Sequence, residues 1–286
     1  VDEAVGQFLD YLRFQKGRSR NTILAYKRDL AQFVAILKQA KISSESETIP
    51  VESIEIYLEW LTNQNYKPST IARKCAAVRG FIEFWQRDEI LPINYIDNQL
   101  RDLEKIRKPP HVLTKQQIAD LLAAPMHLDN PLGLRDTAIL FLMYETGLRA
   151  SDLIQLRVED IDLFGKRIRP MSLRIKAILI GDSTVHIERY LEDGRPHLAR
   201  IPDERKLFLN QRGKGLTRQG VWFIVRRWAD AAGLNKNVSP NTIRHSLIQH
   251  LIESGLSNKE ILRRIGLKSP NSLRAFSTWQ RKVGDG

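Results

Sequence analysis

Two arginines and one crowded basic segment have the residue types and spacing to act on a phosphate. Arg149 lies in Thr146-Gly147-Leu148-Arg149-Ala150-Ser151-Asp152-Leu153, and Arg244 in Ser239-Pro240-Asn241-Thr242-Ile243-Arg244-His245. A guanidinium is a permanent cation whose planar fork of N–H donors matches two phosphate oxygens. Lys166, Arg167, Arg169, Arg174 and Lys176 fall within eleven residues that hold no acid. That density is unfavourable unless negative charge lies nearby. Side chains alternate along an extended strand, so Arg167 and Arg169 share one face, as do Arg174 and Lys176. The segment reads either as paired cations offered to a phosphate backbone or as a solvated edge strand kept from aggregating by its charge.

The charge balance favours a polyanionic partner. Lys and Arg number 45 against 33 acids in 286 residues, a net charge of +12, and the isoelectric point near 9.8 passes the threshold of about 9 that marks nucleic-acid binders. Residues 1–110 hold 17 basic and 15 acidic residues, whereas residues 111–286 hold 28 and 18. The second part therefore carries the field. The longest apolar run, Ala138–Met143, is far short of the roughly 20 residues a bilayer span needs, and the first 30 residues interleave charge with apolar positions. Neither a membrane segment nor a signal peptide is expected, and the expected location is the cytoplasm, in association with the nucleoid. Cys75 is the only cysteine, so no internal disulfide is possible, and it has no neighbours at metal-ligand spacing.

The length suits two domains at roughly 150 residues each. Apolar positions recur at helical spacing through Phe8, Tyr11 and Leu12, through Tyr26, Leu30, Phe33, Val34 and Leu37, through Ile54, Tyr57, Leu58 and Leu61, and through Ile71, Cys75, Val78, Phe81, Ile82 and Trp85. These four segments predict a helical bundle over residues 1–104. Ser69-Thr70, just after Pro68, is expected to cap the fourth helix. Pro109-Pro110 cannot continue a helix, which puts a linker at 105–112 and a second domain at 113–286. There Thr114 and Gln117 predict a capping box, Leu134–Glu145 a buried helix ending at Gly147, and Arg167–Arg169 with Arg174–Ile178 a short hairpin. Helices resume near Thr184, Thr217, Thr242 and Ser257. The fold class is mainly α with a small β-sheet (α+β).

Four strings carry a resemblance: NTILAYKRDL (Asn21–Leu30), TGLRASDLIQL (Thr146–Leu156), LFLNQRGKGLTRQGV (Leu207–Val221) and AGLNKNVSPNTIRHS (Ala232–Ser246). Together and in this order they resemble the tyrosine recombinase, or phage integrase, family, in its Xer-like and integron-integrase-like branch. The resemblance implies an N-terminal helical, SAM-like core-binding domain and a C-terminal catalytic-fold domain that clamp double-stranded DNA. It implies no metal and no cofactor. In that family two arginines hold the scissile phosphate, a hairpin lysine protonates the leaving 5′ oxygen, a histidine assists proton transfer, another His or Trp completes the pocket, and a tyrosine attacks phosphorus.

Carried over residue by residue, the resemblance matches only in part. Arg149 and Arg244 fall on the two arginines, and His245 follows the second as is usual. Asn241 stands where the family has the histidine of His-x-x-Arg, and Leu267 where it has the histidine of Leu-Gly-His. Nine residues beyond Leu267, at the nucleophile's spacing, stands Phe276. The hairpin lysine aligns near Met171, although a gap would let Arg174 or Lys176 take its place. Phenylalanine offers no nucleophilic atom. A single Tyr→Phe change is a common way to trap a complex on DNA, but it would not account for Asn241, Leu267 and the hairpin as well.

The DNA-contact regions match better. The resemblance sets Arg20, Asn21, Thr22, Tyr26 and Lys27 against the duplex, and Lys67, Ser69, Thr70, Arg73 and Lys74 at the start of a helix whose N-terminus suits a phosphate. Arg212, Lys214, Thr217, Arg218 and Gln219 form a third cluster, alongside Arg167 and Arg169. The expected function is sequence-specific DNA binding without cleavage or strand exchange, either alongside an active recombinase or as a homo-oligomer on DNA. The alternative is an active site-specific recombinase or integrase working through a 3′-phosphotyrosine. Ten residues follow Phe276, which leaves little chain for the family's exchange of C-terminal segments between subunits.

Overall fold

The computed structural model describes residues 2–40, 50–85, 96–98, 110–169, 177–234, 237–266, 273 and 276. The chain divides into two compact units, Val1–Lys108 and Pro109–Gly286. The 105–112 linker lies largely outside the described residues.

The first unit is built from α1 (Asp2–Asp10), a π-helical turn (Tyr11–Gln15), α2 (Arg20–Gln39), α3 (Val51–Asn63) and α4 (Pro68–Trp85). Ser19 caps α2 by accepting the N–H of Thr22 at 3.2 Å. Helix α4 starts at Pro68 itself, and the Lys67 carbonyl accepts the N–H groups of Thr70 and Ile71. Ser69 and Thr70 thus stand in the first turn and do not cap the helix. The fixed φ of proline suits the first helical position, where its missing N–H costs nothing. The apolar stripes of the four helices meet in a core of Phe8, Leu30, Phe33, Ile54, Tyr57 and Phe81, with Phe33 and Tyr57 edge to face at 4.9 Å.

The second unit begins with α5 (Lys115–Ala123), whose Thr114–Gln117 capping box is formed in both directions. Next come α6 (Pro131–Thr146), α7 (Ala150–Leu153), a 3-10 turn (Val158–Asp160), and strands β1 (Ile161–Asp162), β2 (Arg167–Ile168) and β3 (Ile178–Leu179). Then follow α8 (Ser183–Arg189), a π-helical turn (Tyr190–Gly194), α9 (Arg195–Leu198), α10 (Arg218–Ala231), α11 (Pro240–Glu253) and α12 (Asn258–Arg264). The strands form an antiparallel sheet in the order β1-β2-β3, pairing Asp162 with Arg167 and Arg167 with Leu179. The expected hairpin is therefore the β2–β3 part of a three-stranded sheet, because Ile161-Asp162 adds an edge too short to give a period-2 pattern. Arg174 and Met171 lie between the strands, outside the described residues, as does Lys176.

Helix α6 is apolar nearly all round and is buried along most of its length, as expected of a helix at the centre of a unit. It also carries two buried charges. Arg135 donates to the Asp136 carboxylate at 2.7 and 2.8 Å and to the Leu209 carbonyl at 2.9 Å, and the Trp228 indole N–H donates to Asp136 at 2.9 Å. With every member bonded, this network ties α6 to α10 and to the loop before it. A smaller core joins Leu247, Ile248 and Leu251 of α11 and Ile261 of α12 to Ile265, Leu273 and Phe276. No helix among the described residues is long and apolar enough to cross a membrane.

Candidate functional site

The site is built around the end of α6. Gly147 closes the helix in the left-handed region at φ +62, where a residue without a side chain is favoured. A Cβ at Gly147 would lie 3.0 Å from Leu247 Cδ2 and 3.7 Å from Arg244 Nη1. The turn frees the Gly147 carbonyl, which accepts the Nη1–H of Arg244 on α11. Two residues on, exposed Arg149 occupies the N-cap position of α7. One tight turn thus presents the first arginine and holds the second.

Arg244 is 7% exposed, and its Nη2 is buried without a hydrogen-bond partner among the described residues. Burial and the neighbouring positive charge of Arg149 push its pKa down to about 10, with Asp152 opposing, so it remains a cation at neutral pH. An unpaired guanidinium nitrogen inside a protein is costly, and an anion delivered to it removes that cost. His245 is half-buried and held below its ordinary pKa by burial and by Arg244, which keeps the imidazole neutral at pH 7. The Phe276 ring, 2% exposed, meets it edge to face with centroids 5.6 Å apart. Phe276 shares its core with Ile265, Leu247 and Leu273.

Arg149, Arg244, His245 and Phe276 therefore form one neighbourhood with Gly147. Asn241 is exposed one turn before Arg244 and His245 on α11. Leu267, Met171, Arg174 and Lys176 lie outside the described residues. The Gly147 carbonyl was not among the residues singled out from the sequence, where the only signal for it is the Thr-Gly-Leu-Arg turn. Glu145 was also missed. It accepts the N–H of Gly181 and the N–H and hydroxyl of Ser183, fixing the start of α8 to the end of α6.

The basic strand is less bare than its sequence implies. Asp162, opposite on β1, accepts from Arg167 Nε at 2.8 Å and from Arg169 Nη2 at 3.4 Å. Both side chains do lie on one face, but a carboxylate is already there. Its pKa is lowered, first by the Arg167 hydrogen bond.

In the first unit Arg20, Asn21 and Lys27 are exposed on α2, with Thr22 and Tyr26 half-buried. Lys67 and Ser69 are exposed at the start of α4, and Thr70 is half-buried. Lys74 differs from expectation. It is 6% exposed, bonds Asp29 at 3.2 Å and Gln32, and lies 5.1 Å over the Tyr66 ring. Buried Asp29 also accepts from Arg73. Lys74 faces inward because it neutralises a carboxylate that would otherwise be buried alone, so its ammonium is not presented to a duplex.

Arg212, Lys214, Thr217, Arg218 and Gln219 are all exposed. Asn210 Oδ1 accepts the N–H groups of Arg212 and Lys214 at 2.8 and 3.1 Å, shaping the turn, and Thr217 caps α10 through Gly220 N–H at 3.0 Å.

Comparison with known proteins agrees with this architecture. The Phage integrase family profile matches residues 111–280, and the profile of the phage integrase N-terminal SAM-like domain matches residues 5–89. The tyrosine recombinase XerC of Herpetosiphon aurantiacus is 34% identical over 281 residues, covering 97% of this chain and 90% of that protein. The tyrosine recombinase XerD of Listeria innocua is 32% identical over 271 residues, covering 93% and 90%. Among solved structures, the Tn1549 transposon integrase in complex with transposon right-end DNA superposes with a TM-score of 0.72 at 17% identity, covering 99% of this chain and 98% of that one. The XerH recombinase bound to its difH substrate superposes at 0.67 with 19% identity, covering 95% and 80%. Two matched profiles that together span most of the chain, and relatives above 30% identity over nearly all of it, make this chain a member of the tyrosine recombinase (phage integrase) family.

Proposed function

We propose that this chain binds duplex DNA on the tyrosine recombinase scaffold and seats a backbone phosphate at Arg149 and Arg244, but does not itself cut the strand. Cleavage in this family requires an oxygen that forms a bond to phosphorus as the 5′ oxygen departs with a proton. The observation that carries the reading is Phe276, buried edge-on against His245 at 5.6 Å, where the resemblance puts the nucleophile. A phenyl ring can pack there but cannot attack. Asn241 and Leu267, at positions where the family has histidines, add losses that restoring one hydroxyl would not repair. Arg149 and Arg244 retain the electrostatic half of the site. DNA is the partner named for the solved relatives, and the exposed cations of α2, of the start of α4 and of the Arg212–Gln219 turn are consistent with contacts along a duplex. Such a protein would occupy recombination sites beside an active relative or as a homo-oligomer.

The test is incubation with nicked suicide duplexes drawn from DNA that co-purifies with the protein. Salt-sensitive retention without a detergent-resistant protein–DNA band is the expected result. A covalent band would establish an active recombinase instead.

A further inference from the structure

Helix α10 buries Val221, Ile224, Val225, Trp228 and Ala229, and its other face is unusual. Two adjacent stripes run along it at four-residue spacing, Arg218–Trp222–Arg226 and Gln219–Phe223–Arg227. Trp222 is 43% exposed and Phe223 55%, and their rings stand nearly perpendicular with centroids 5.2 Å apart. A single exposed aromatic needs no explanation, but a contiguous aromatic pair framed by arginines is an interaction surface.

The surrounding charge indicates what covers it. Residues 211–230 hold five cations against one acid, Asp230; Arg226 is half-buried and pairs with Asp230 at 3.5 Å, which leaves Arg212, Lys214, Arg218 and Arg227 exposed. This complements a polyanion. A purely phosphate-binding surface would have no use for two large apolar rings. A major groove about 12 Å wide admits one helix of about 10–12 Å diameter, and the only apolar group that base edges expose there is the thymine 5-methyl.

We propose that Trp222 and Phe223 are specificity-determining residues that pack against thymine 5-methyl groups in the major groove, with Arg218 and Gln219 one turn before them on the same face. This rests on the reading above that the second unit grips duplex DNA. The rings supply apolar discrimination, and the flanking cations hold the helix in the groove.

The experiment uses the full chain and a duplex chosen by repeated selection from a random library, synthesised once with thymine and once with deoxyuridine throughout. Uracil pairs as thymine does but lacks the methyl. The wild type should bind the uracil duplex more weakly, by about four-fold for each methyl contacted, the worth of one buried methyl-sized group. The W222A/F223A variant, changed only at exposed positions, should bind both duplexes equally and keep the wild-type salt slope, since no phosphate contact is lost. Equal wild-type affinity for both duplexes, with salt-sensitive binding intact, would overturn this assignment and leave DNA binding standing. Absence of salt-sensitive binding would overturn both. If the variant keeps the methyl discrimination but loses self-association in sedimentation, the face is a protein interface and the assignment also fails.

Discussion

Arg244 donates through Nη1 to the carbonyl of Gly147, two residues before Arg149. Both guanidinium groups are thus referred to one left-handed turn. Gly147→Ala would force a Cβ to within 3.0 Å of Leu247 at φ +62. The expected cost is about 1–3 kcal/mol, read as a lower urea midpoint, with weaker DNA retention at fixed salt than the loss of stability explains.

Arg149 is exposed and is one cation among many. Arg149→Ala should weaken DNA binding modestly and lower the slope of log K against log salt by about 0.9, the value of one phosphate contact. A titration from low to physiological salt measures both. An unchanged slope would remove Arg149 from the contact set.

Phe276→Tyr should produce little or no covalent adduct on a suicide substrate, because Asn241 and Leu267 are also changed from the family's pattern. Robust adduct formation would show that the remaining residues compensate. Phe276→Ala removes a buried ring and should cost about 3–5 kcal/mol, measurable as a shift in the urea unfolding transition.

His245, His250 and His186 all have pKa values below the ordinary histidine value, with burial the largest cause in each. Arg244 adds to the effect at His245, Lys115 at His250 and Arg189 at His186, while Glu253 opposes it at His250 and Asp182 at His186. Near and below the ordinary histidine value of 6.5 the unfolded chain binds more protons than the folded one. Stability from these residues is present above that value and is lost as pH falls through the lowered folded values. Urea midpoints measured between pH 8 and pH 5 should decline with acid, and His245→Gln should flatten the decline.

Asp136 holds both Arg135 and Trp228 in the core. Asp136→Ala strands a buried guanidinium and should destabilise by about 3–5 kcal/mol, whereas Lys38→Ala, at an exposed pair with Asp2, should change stability by less than about 1 kcal/mol. Paired urea titrations distinguish the two.

Features written locally were legible in the sequence. The apolar period of α6, its stop at Gly147 and the Thr114–Gln117 box are set by neighbours three or four residues apart. The site was legible where a short motif surrounds it, as at Arg149 and Arg244. Pairings over distance were not. Asp29 meets Lys74 across 45 residues and Trp228 meets Asp136 across 92, and no local pattern marks a lysine as inward-facing. Likewise the alternation at Arg167 and Arg169 revealed a shared face but not the carboxylate opposite.

That carboxylate changes how the strand would meet a phosphate. Arg167 and Arg169 reach any phosphate with Asp162 already in hand, so a nucleic acid must trade places with a tethered anion where it would otherwise shed loose ions from solution. The exchange sets a threshold: only a phosphate held in the right spot by the rest of the molecule outcompetes a rival that never diffuses away. A tally of basic residues therefore overstates the pull of this strand toward arbitrary DNA.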